Sequence, residues 1–484
     1  METNTAYILV ACTLGIFGYA GYQAASEKEM DTDEYLSARA SQDHRRIGLS
    51  LFASGMGIWI LFGPPEVGYW GGFWDVLGYA VSAATPFLLL AYLGPKIRQR
   101  LPGGVTLADF VRMRIGRPMQ IYVGLISILY MFTILFAEFT AIGMAMKALS
   151  DMEPLIPMLA VASVTTAYTA YGGLPASLRT DRLQAWVVIW LIFTLLSIIF
   201  LDDFDSIMSD SRSYNPEDEW SIGSISYMGS FTSGLALVVA ITSAEMFSQG
   251  NWQRAWASED DEALRKGSLL AASLVLPLIF IMGFLGTVVA GRGSAIVNGE
   301  YDPSASFFVL IEEAHFALIS GFIVLCIALV CSSVDTLQNA VAASITRDIS
   351  DGKMDLTNAR ITTLAMIPVA IYLASGPTIA GFTFDAGGVF RIYLVADLLA
   401  AATVLPVLLT LWDRTDSRAS LMGALFGLLS VVFYGAFTSD ISTGLGYLTS
   451  PTNEYGLANL GVFLSALVGS GTVTVVGSYA LPSE

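Results

Sequence analysis

The sequence predicts an all-α integral membrane protein with 13 transmembrane helices, and three observations support this prediction. The 484 residues are 54% hydrophobic and only 13% charged, which is far more apolar than a water-soluble chain of this length. Apolar runs of about 20 residues, the length that spans a bilayer, recur along the chain. The Lys and Arg residues fall mainly in alternate connections between these runs, as in proteins that cross a membrane many times.

The order of these runs also predicts the orientation of the chain. The predicted spans cover residues 5–24, 47–66, 73–93, 119–147, 154–171, 183–201, 226–248, 266–290, 316–346, 358–375, 389–412, 417–437 and 457–480. The first run follows Glu2 and no basic residue, so we interpret it as a retained helix and not as a signal peptide. If the N-terminus is outside, 20 of the 24 basic residues are cytoplasmic. The C-terminus is then cytoplasmic, and the acidic connection 202–222 is outside.

Composition narrows the range of functions. The three cysteines lie in apolar runs and the two histidines are far apart in sequence, so neither a disulfide framework nor a metal cage is indicated. The shortage of His and Cys constellations also argues against a membrane-embedded enzyme. We expect no organic cofactor, no nucleic-acid partner and no obligate protein partner.

Two spans contain helix-breaking residues at membrane depth. The second span contains Gly55, Gly57 and then residues 63–66 (GPPE), and the seventh opens with residues 229–234 (GSFTSG). Interrupted helices at matching positions of two halves indicate a transporter built from inverted repeats, with solute and ion bound where the helices unwind. The alternative is that Gly and Pro are simply common in membrane helices.

The ninth span carries a polar stripe. Ser332, Asp335, Thr336 and Asn339 stand on one helix face. A carboxylate near the middle of a membrane helix costs about 2.5–3.5 kcal/mol on insertion scales, so Asp335 is expected to face protein, water or an ion. The alternative for the hydroxyls is close helix packing.

Two further segments concentrate polar residues. Residues 168–184 are predicted to form a loop after the fifth span, in which Thr180 or Asp181 could cap the next helix. Residues 249–254 close the seventh span, where Arg254 would meet lipid phosphates or a neighbouring carboxylate.

Four motifs together resemble the sodium:solute symporter family. They are residues 33–39 (DEYLSAR), residues 171–174 (YGGL) with Thr180, Asp181 and Gln184, the pair Gln253-Arg254, and the segment from Ser332-Ser333 to Arg347-Asp348. The resemblance implies a LeuT-type fold in a single transmembrane domain, residues 1–484. It comprises an extra N-terminal helix (5–24), two inverted five-helix repeats (47–201 and 226–412) and two C-terminal peripheral helices (417–480).

The resemblance also implies binding positions. The family's sodium site corresponds to the carbonyls of Ala53, Met56 and Leu329 and the hydroxyls of Ser332 and Ser333. A second cation site corresponds to Asp181, Ser332, Asp335 and Thr336, but Asp335 stands where some members have a hydroxyl. Residues expected to face the solute are Glu66, Trp70, Glu138, Thr242, Ser243 and Glu245.

The resulting hypothesis is a sodium-coupled secondary active symporter in the cell membrane that imports a small polar organic solute by alternating access. Its partners would be the solute, Na⁺ and the lipid bilayer. Residues 248–258 resemble the urea-transporting branch of the family, whereas other segments resemble the proline-type branch, although Gly55 replaces an acidic residue of that branch. A proton-coupled transporter and a transporter-like membrane sensor are the alternatives.

Overall fold

The computed structural model is almost entirely helical. It describes residues 1–26, 30–202, 204–213, 228–293, 295–297, 300–312, 314–379, 381–384, 386–453 and 457–481. Of the acidic connection 202–222, residues 203 and 214–222 lie outside these ranges, and its orientation stays a prediction.

The helices follow one another with short connections. The α-helices of the first half of the chain are α1 (Thr3–Ser26), α2 (Thr32–Ser37), α3 (His44–Gly55), α4 (Gly63–Trp70), α5 (Phe73–Arg100), α6 (Leu107–Ile115), α7 (Arg117–Ser150), α8 (Leu155–Asp202), α9 (Phe204–Ser213) and α10 (Met228–Glu245). Those of the second half are α11 (Gln249–Ala257), α12 (Asp261–Gly291), α13 (Ser306–Val309), α14 (Phe316–Ala343), α15 (Leu356–Ala374), α16 (Ala386–Leu408), α17 (Ser417–Thr438), α18 (Ile441–Tyr447) and α19 (Leu460–Ala480).

Short elements complete the described chain. The 3₁₀ turns are Ile58–Leu61, Pro303–Ala305 and Leu409–Leu411, and α14 continues into a π-helical turn, Ser344–Ile349. Two antiparallel hairpins pair β1 (Ile296–Val297) with β2 (Glu300–Tyr301) and β3 (Thr378–Ile379) with β4 (Phe382–Thr383).

The all-α membrane architecture predicted from the sequence is confirmed. Among the described residues, 11 helices are long and apolar enough to cross a bilayer, and a twelfth span forms if α3 and Ile58–Trp70, bent by 58°, are counted as one. The 48 residues of α8 comprise two helical parts that meet at Gly173, whose backbone is not helical (φ 56°, ψ −148°), so they do not form one straight helix. The total of 13 spans stays a prediction.

The loop predicted at residues 168–184 is reduced to a kink at Gly173, because the other residues of this range are helical. The helix kinks at Gly173, whose φ of 56° lies in the left-handed region, and a Cβ there would be 2.4 Å from the Tyr35 carbonyl oxygen. Gly173 thus joins the two helical parts of α8 where they pack against α2. Thr180 and Asp181 are consequently mid-helix residues and cap nothing.

The helix break predicted at residues 229–234 lies elsewhere in the structure. Residues 229–234 are helical, and the interruption occurs at residues 246–248, between α10 and α11. The break in the second span is confirmed near Gly57, between α3 and the following 3₁₀ turn. Pro64 and Pro65 occupy the first turn of α4, where a missing N–H costs nothing.

Tertiary contacts gather the basic connections at one end of the bundle. Arg39 donates to the carbonyl oxygens of Pro102 and Gly104, and Gln42 forms a backbone bridge with Ser258. Further ion pairs join the remaining connections at this end: Arg100 with Asp413, and Arg112 with Asp351. The connections predicted to share one side of the membrane therefore do meet.

The interior is organised around the two broken helices. α5 packs against α10 and α12, α14 packs against α7 and α8, and α3 packs against α8, α12 and α14. α1 lies along α8 and α14, and α17 and α19 pack against α16 at the periphery. Most of the polar side chains of α14 thereby face protein.

Candidate ion and solute site

The α3 helix ends at Gly55, close to a second residue without a side chain, Gly57. Its C-terminal residue is followed by Met56, whose backbone leaves the helical region (φ −102°, ψ 84°). A Cβ on Gly57 would lie 2.1 Å from Glu138 Oε1 and 2.5 Å from Ser333 Oγ, so only glycine fits. The break brings the backbone close to both α7 and α14.

The carboxylate of Glu138 occupies this break. Its Oε2 accepts hydrogen bonds from Ile58 N (3.0 Å) and Ser333 Oγ (3.1 Å), and its Oε1 accepts from Trp59 N (3.4 Å). Glu138 therefore caps the turn that resumes after the break, where free N–H groups favour an anion. Both of its oxygens are bound by protein donors.

Ser332 joins α14 to the end of α3. Its Oγ lies 2.9 Å from the carbonyl oxygen of Ala53, 2.9 Å from that of Leu329 and 3.2 Å from that of Ala328. Ala328 and Leu329 lie one turn earlier on the same helix, so those two contacts are the usual back-bonding of a helical serine. The contact with Ala53 joins the two helices, and it places a carbonyl from the last turn of α3 beside a hydroxyl, two oxygen ligands of the kind that a hard cation prefers.

Four of the five predicted sodium ligands are joined by these contacts. The carbonyl of Leu329 also accepts from Ser333 Oγ at 3.3 Å, which connects Ala53, Leu329, Ser332 and Ser333. The fifth, Met56, is the residue that follows the last residue of α3.

Asp335 lies one turn further along α14, facing α8. Its Oδ1 accepts from Ser177 Oγ (2.7 Å), and its Oδ2 accepts from Tyr168 Oη (2.7 Å) and Thr180 Oγ1 (3.1 Å). Asp335 therefore faces hydroxyls of α8, in agreement with the expectation that an intramembrane carboxylate faces protein, water or an ion.

A buried ion pair between Arg254 and Asp181 lies near Asp335. Asp181 Oδ2 accepts from Arg254 Nη2 (2.6 Å) and Ser50 Oγ (2.5 Å), and both members of the pair have fully buried side chains. The same Arg254 nitrogen donates to Thr336 Oγ1 at 2.7 Å. The guanidinium thus lies between two residues of the predicted second cation site, while Ser332 is directed to α3 instead.

The predicted solute-facing residues divide into three groups. Glu66 and Glu245 flank the two breaks, in the first turn of α4 and at the last residue of α10. Thr242 Oγ1 is buried without a partner among the described residues, whereas Ser243 Oγ donates to its own helix at the carbonyl of Val239.

Trp70 and Glu138 form the third group. Trp70 is 41% exposed at the end of α4 and packs edge-on against Tyr69, and Glu138 is bound at the α3 break.

Sequence reasoning missed several residues of this region. Ser50, Tyr168 and Ser177 contact the acidic groups but carry no distinctive local pattern. Asp397 is an acid inside the predicted span 389–412, and the general significance of intramembrane carboxylates could have identified it. The Arg254 contact was one of two alternatives, and the carboxylate partner is the correct one.

Two discontinuous helices packed around a small oxygen-lined site define a secondary transporter of the LeuT fold. The sequence profile of the Sodium:solute symporter family matches residues 35–428, and the chain belongs to that family. It is a sodium-coupled solute symporter and not an enzyme.

Similar proteins agree with this assignment. The spermidine transporter DUR31 of Candida albicans is 28% identical over 444 residues, covering 88% of this chain and 80% of that protein. The sodium/proline symporter 2 of Staphylococcus saprophyticus is 22% identical over 457 residues, covering 88% and 85%. The structure of a substrate-bound, outward-open Na⁺-coupled sialic acid symporter matches with a TM-score of 0.74 and 14% identity, over 99% of this chain and 98% of that one.

Proposed function

We propose that one sodium ion binds between the end of α3 and the middle of α14 and drives import of a small polar organic solute by alternating access. The carbonyls of Ala53, Met56 and Leu329 and the hydroxyls of Ser332 and Ser333 would be its ligands. The observation that carries this proposal is the contact between Ser332 Oγ of α14 and the carbonyl oxygen of Ala53 in the last turn of α3.

The ion would hold the two helices together. α3 and α14 belong to different halves of the chain, so a ligand shared between them favours the conformation in which both are in place. Since the solute is expected between the resumed segment of the broken helix, α7, α10 and α16, ion and solute would each raise the affinity for the other. Glu138 belongs to this coupling, because it binds Ser333 and the turn after the break.

At the second cation position we propose that Arg254 supplies the positive charge. Its guanidinium already neutralises Asp181 and donates to Thr336, and Asp335 is saturated by hydroxyl donors from α8. Sodium activation of uptake should accordingly be hyperbolic, with a Hill coefficient of about 1 for a single coupling ion.

We also propose a plasma-membrane protein with its N-terminus outside and its C-terminus cytoplasmic. The distribution of basic residues supports this orientation, and so does the meeting of the basic connections at one end of the bundle.

The relatives named above differ in solute, with spermidine, proline and sialic acid represented. Family membership thus leaves the substrate to be decided by the site. Urea, an amino acid such as proline and a polyamine all fall within the proposed solute class.

The experiment is solute uptake into proteoliposomes with Ser332→Ala. We expect the sodium concentration for half-maximal uptake to rise at least tenfold, because the variant loses a ligand at the ion site. Ser163→Ala is the matched control, since Ser163 Oγ also donates to a carbonyl of its own helix but is exposed on α8.

Unchanged sodium activation in Ser332→Ala would contradict the ion site. Uptake driven by a pH gradient in sodium-free vesicles would support proton coupling instead.

A further inference from the structure

We infer that the solute is an organic cation with two or more ammonium groups, such as a linear diamine or triamine, held by Glu66, Glu245 and Asp397. This inference rests on the proposed function and specifies its substrate class.

Asp397 is the first observation. It lies on α16 with no exposed surface, and neither of its carboxylate oxygens has a hydrogen-bond partner among the described residues. Glu245, another acid, lies within electrostatic range of it. A fully buried carboxylate without a donor is strongly disfavoured, so a cationic ligand is the natural partner of this side chain.

Glu245 ends α10 at the helix break. Its oxygens accept from Tyr130 Oη at 2.7 Å and from Asn251 Nδ2 at 3.2 Å. Both donors are neutral, so the negative charge of Glu245 has no counter-charge. Beside it, Thr242 Oγ1 is a buried hydroxyl without a partner in the described part of the chain.

Glu66 brings a third acid to the same region. A Cβ on Gly63, one turn before Glu66, would lie 2.7 Å from Tyr79 Oη, and Tyr79 of α5 is within electrostatic range of Glu66, Glu245 and Asp397. Within the ranges that the structure describes, none of the three forms an ion pair with Lys, Arg or His. Asp181, in contrast, has Arg254 at 2.6 Å.

Aromatic rings lie close to the acids. Tyr130 and Tyr393 lie with ring centroids 6.0 Å apart, and Trp59 and Tyr79 lie 5.9 Å apart. Tyr393 also interacts electrostatically with Asp397 and Glu245. Aromatic faces combined with carboxylates form the usual environment for an ammonium group and its methylene chain.

Three carboxylates favour a solute with several positive charges over a singly charged or zwitterionic solute. One ammonium group can offset only one of the three carboxylates, and a zwitterion such as proline would add a carboxylate of its own. A linear amine with two or three charges offsets more of them and places apolar methylenes against the tyrosines. Both features distinguish it from urea and from amino acids.

The test is uptake by the wild-type protein in proteoliposomes, with spermidine, putrescine, butylamine, proline and urea as separate solutes. We expect sodium-driven uptake of spermidine and putrescine, with half-saturation at least tenfold below that of butylamine. Sodium-driven uptake of proline or urea without polyamine uptake would overturn this inference and leave the proposed function intact. Polyamine uptake independent of sodium would contradict the proposed function but support this inference.

Asp397→Asn tests the assigned residue. Half-saturation for spermidine should rise at least tenfold, while the thermal stabilisation produced by sodium alone should stay as in the wild type. If the variant does not fold, Glu245→Gln is measured in the same way. Asp413→Asn is the control, since Asp413 is 85% exposed and far from α10 in the chain. Unchanged spermidine affinity in the folded variant would overturn the assignment.

Discussion

Gly57→Ala is predicted to disable coupling without adding a charge or removing a hydrogen-bonding side chain. The new Cβ would lie 2.1 Å from Glu138 Oε1, whereas an ordinary contact is at least 3.4 Å. The carboxylate must therefore move by more than an ångström, because the backbone at the break is fixed on both sides. That movement separates it from donors that now lie at 3.0–3.4 Å.

The magnitude follows from the bonds that are lost. A hydrogen bond to a charged group contributes about 1.5–3 kcal/mol, so losing two of the three weakens the break by at least about 3 kcal/mol. Such an energy corresponds to roughly a 100-fold change in an equilibrium constant. We expect half-maximal sodium activation of uptake to shift by at least tenfold, since part of the strain can relax through Ser333.

The assay is sodium-dependent uptake in proteoliposomes, with thermal unfolding in detergent as the check on folding. Gly15→Ala is the matched control, because a Cβ on that helical glycine of α1 meets nothing within 4 Å. Glu138→Asp in the Gly57→Ala background should recover part of the activity, since the shorter side chain leaves room for the Cβ. Gly57→Ala protein with sodium activation within threefold of wild type would refute the reasoning.

Two further predictions concern stability. Arg254→Met should destabilise the protein by about 3–5 kcal/mol, because it leaves Asp181 buried and unpaired. The double variant Arg254→Met/Asp181→Asn should be more stable than the single variant in thermal unfolding, and an equally unstable double variant would contradict the ion-pair explanation. Asp43→Ala should cost about 1 kcal/mol by removing the N-cap of α3. Hydrogen bonds from Arg46 N and Arg45 N keep the pKa of Asp43 below its usual range, so the charged cap stabilises α3 above that range and its contribution is lost as the pH falls through the lowered pKa. Asp43→Asn should remove this pH dependence, and a persistent dependence would assign it to another group.

The sequence predicted the elements that depend on local chemistry. Apolar runs of bilayer length gave the helices, and the glycines around residue 57 gave the first break, because glycine often interrupts the backbone of a membrane helix. The loop at residues 168–184 was predicted too long, because polar residues usually mark loops. Here the chain breaks only at Gly173, and Ser177, Thr180 and Asp181 face Asp335 and Arg254 from the helical part that follows.

The second break shows the same limitation. Gly229 and Gly234 are the stronger local signal, yet both lie inside α10, and Gly234 allows close helix packing, with a Cβ there only 2.1 Å from the Trp74 carbonyl oxygen. The real interruption at residues 246–248 contains no glycine or proline. It depends on contacts such as the bond from Trp252 Nε1 to the Met246 carbonyl at 2.8 Å, which local composition does not encode.

The sequence alone determined that this protein is a multi-span helical symporter, because hydrophobic length, basic-residue distribution and family motifs are properties of the chain itself. Only the tertiary structure decided which partners the buried charges have. Arg254 lies 73 residues from Asp181 and 82 from Thr336, and Asp397 is separated from Glu66 by most of the chain. Inside a membrane, the role of a charge depends on the group beside it, and that neighbour is set by helix packing.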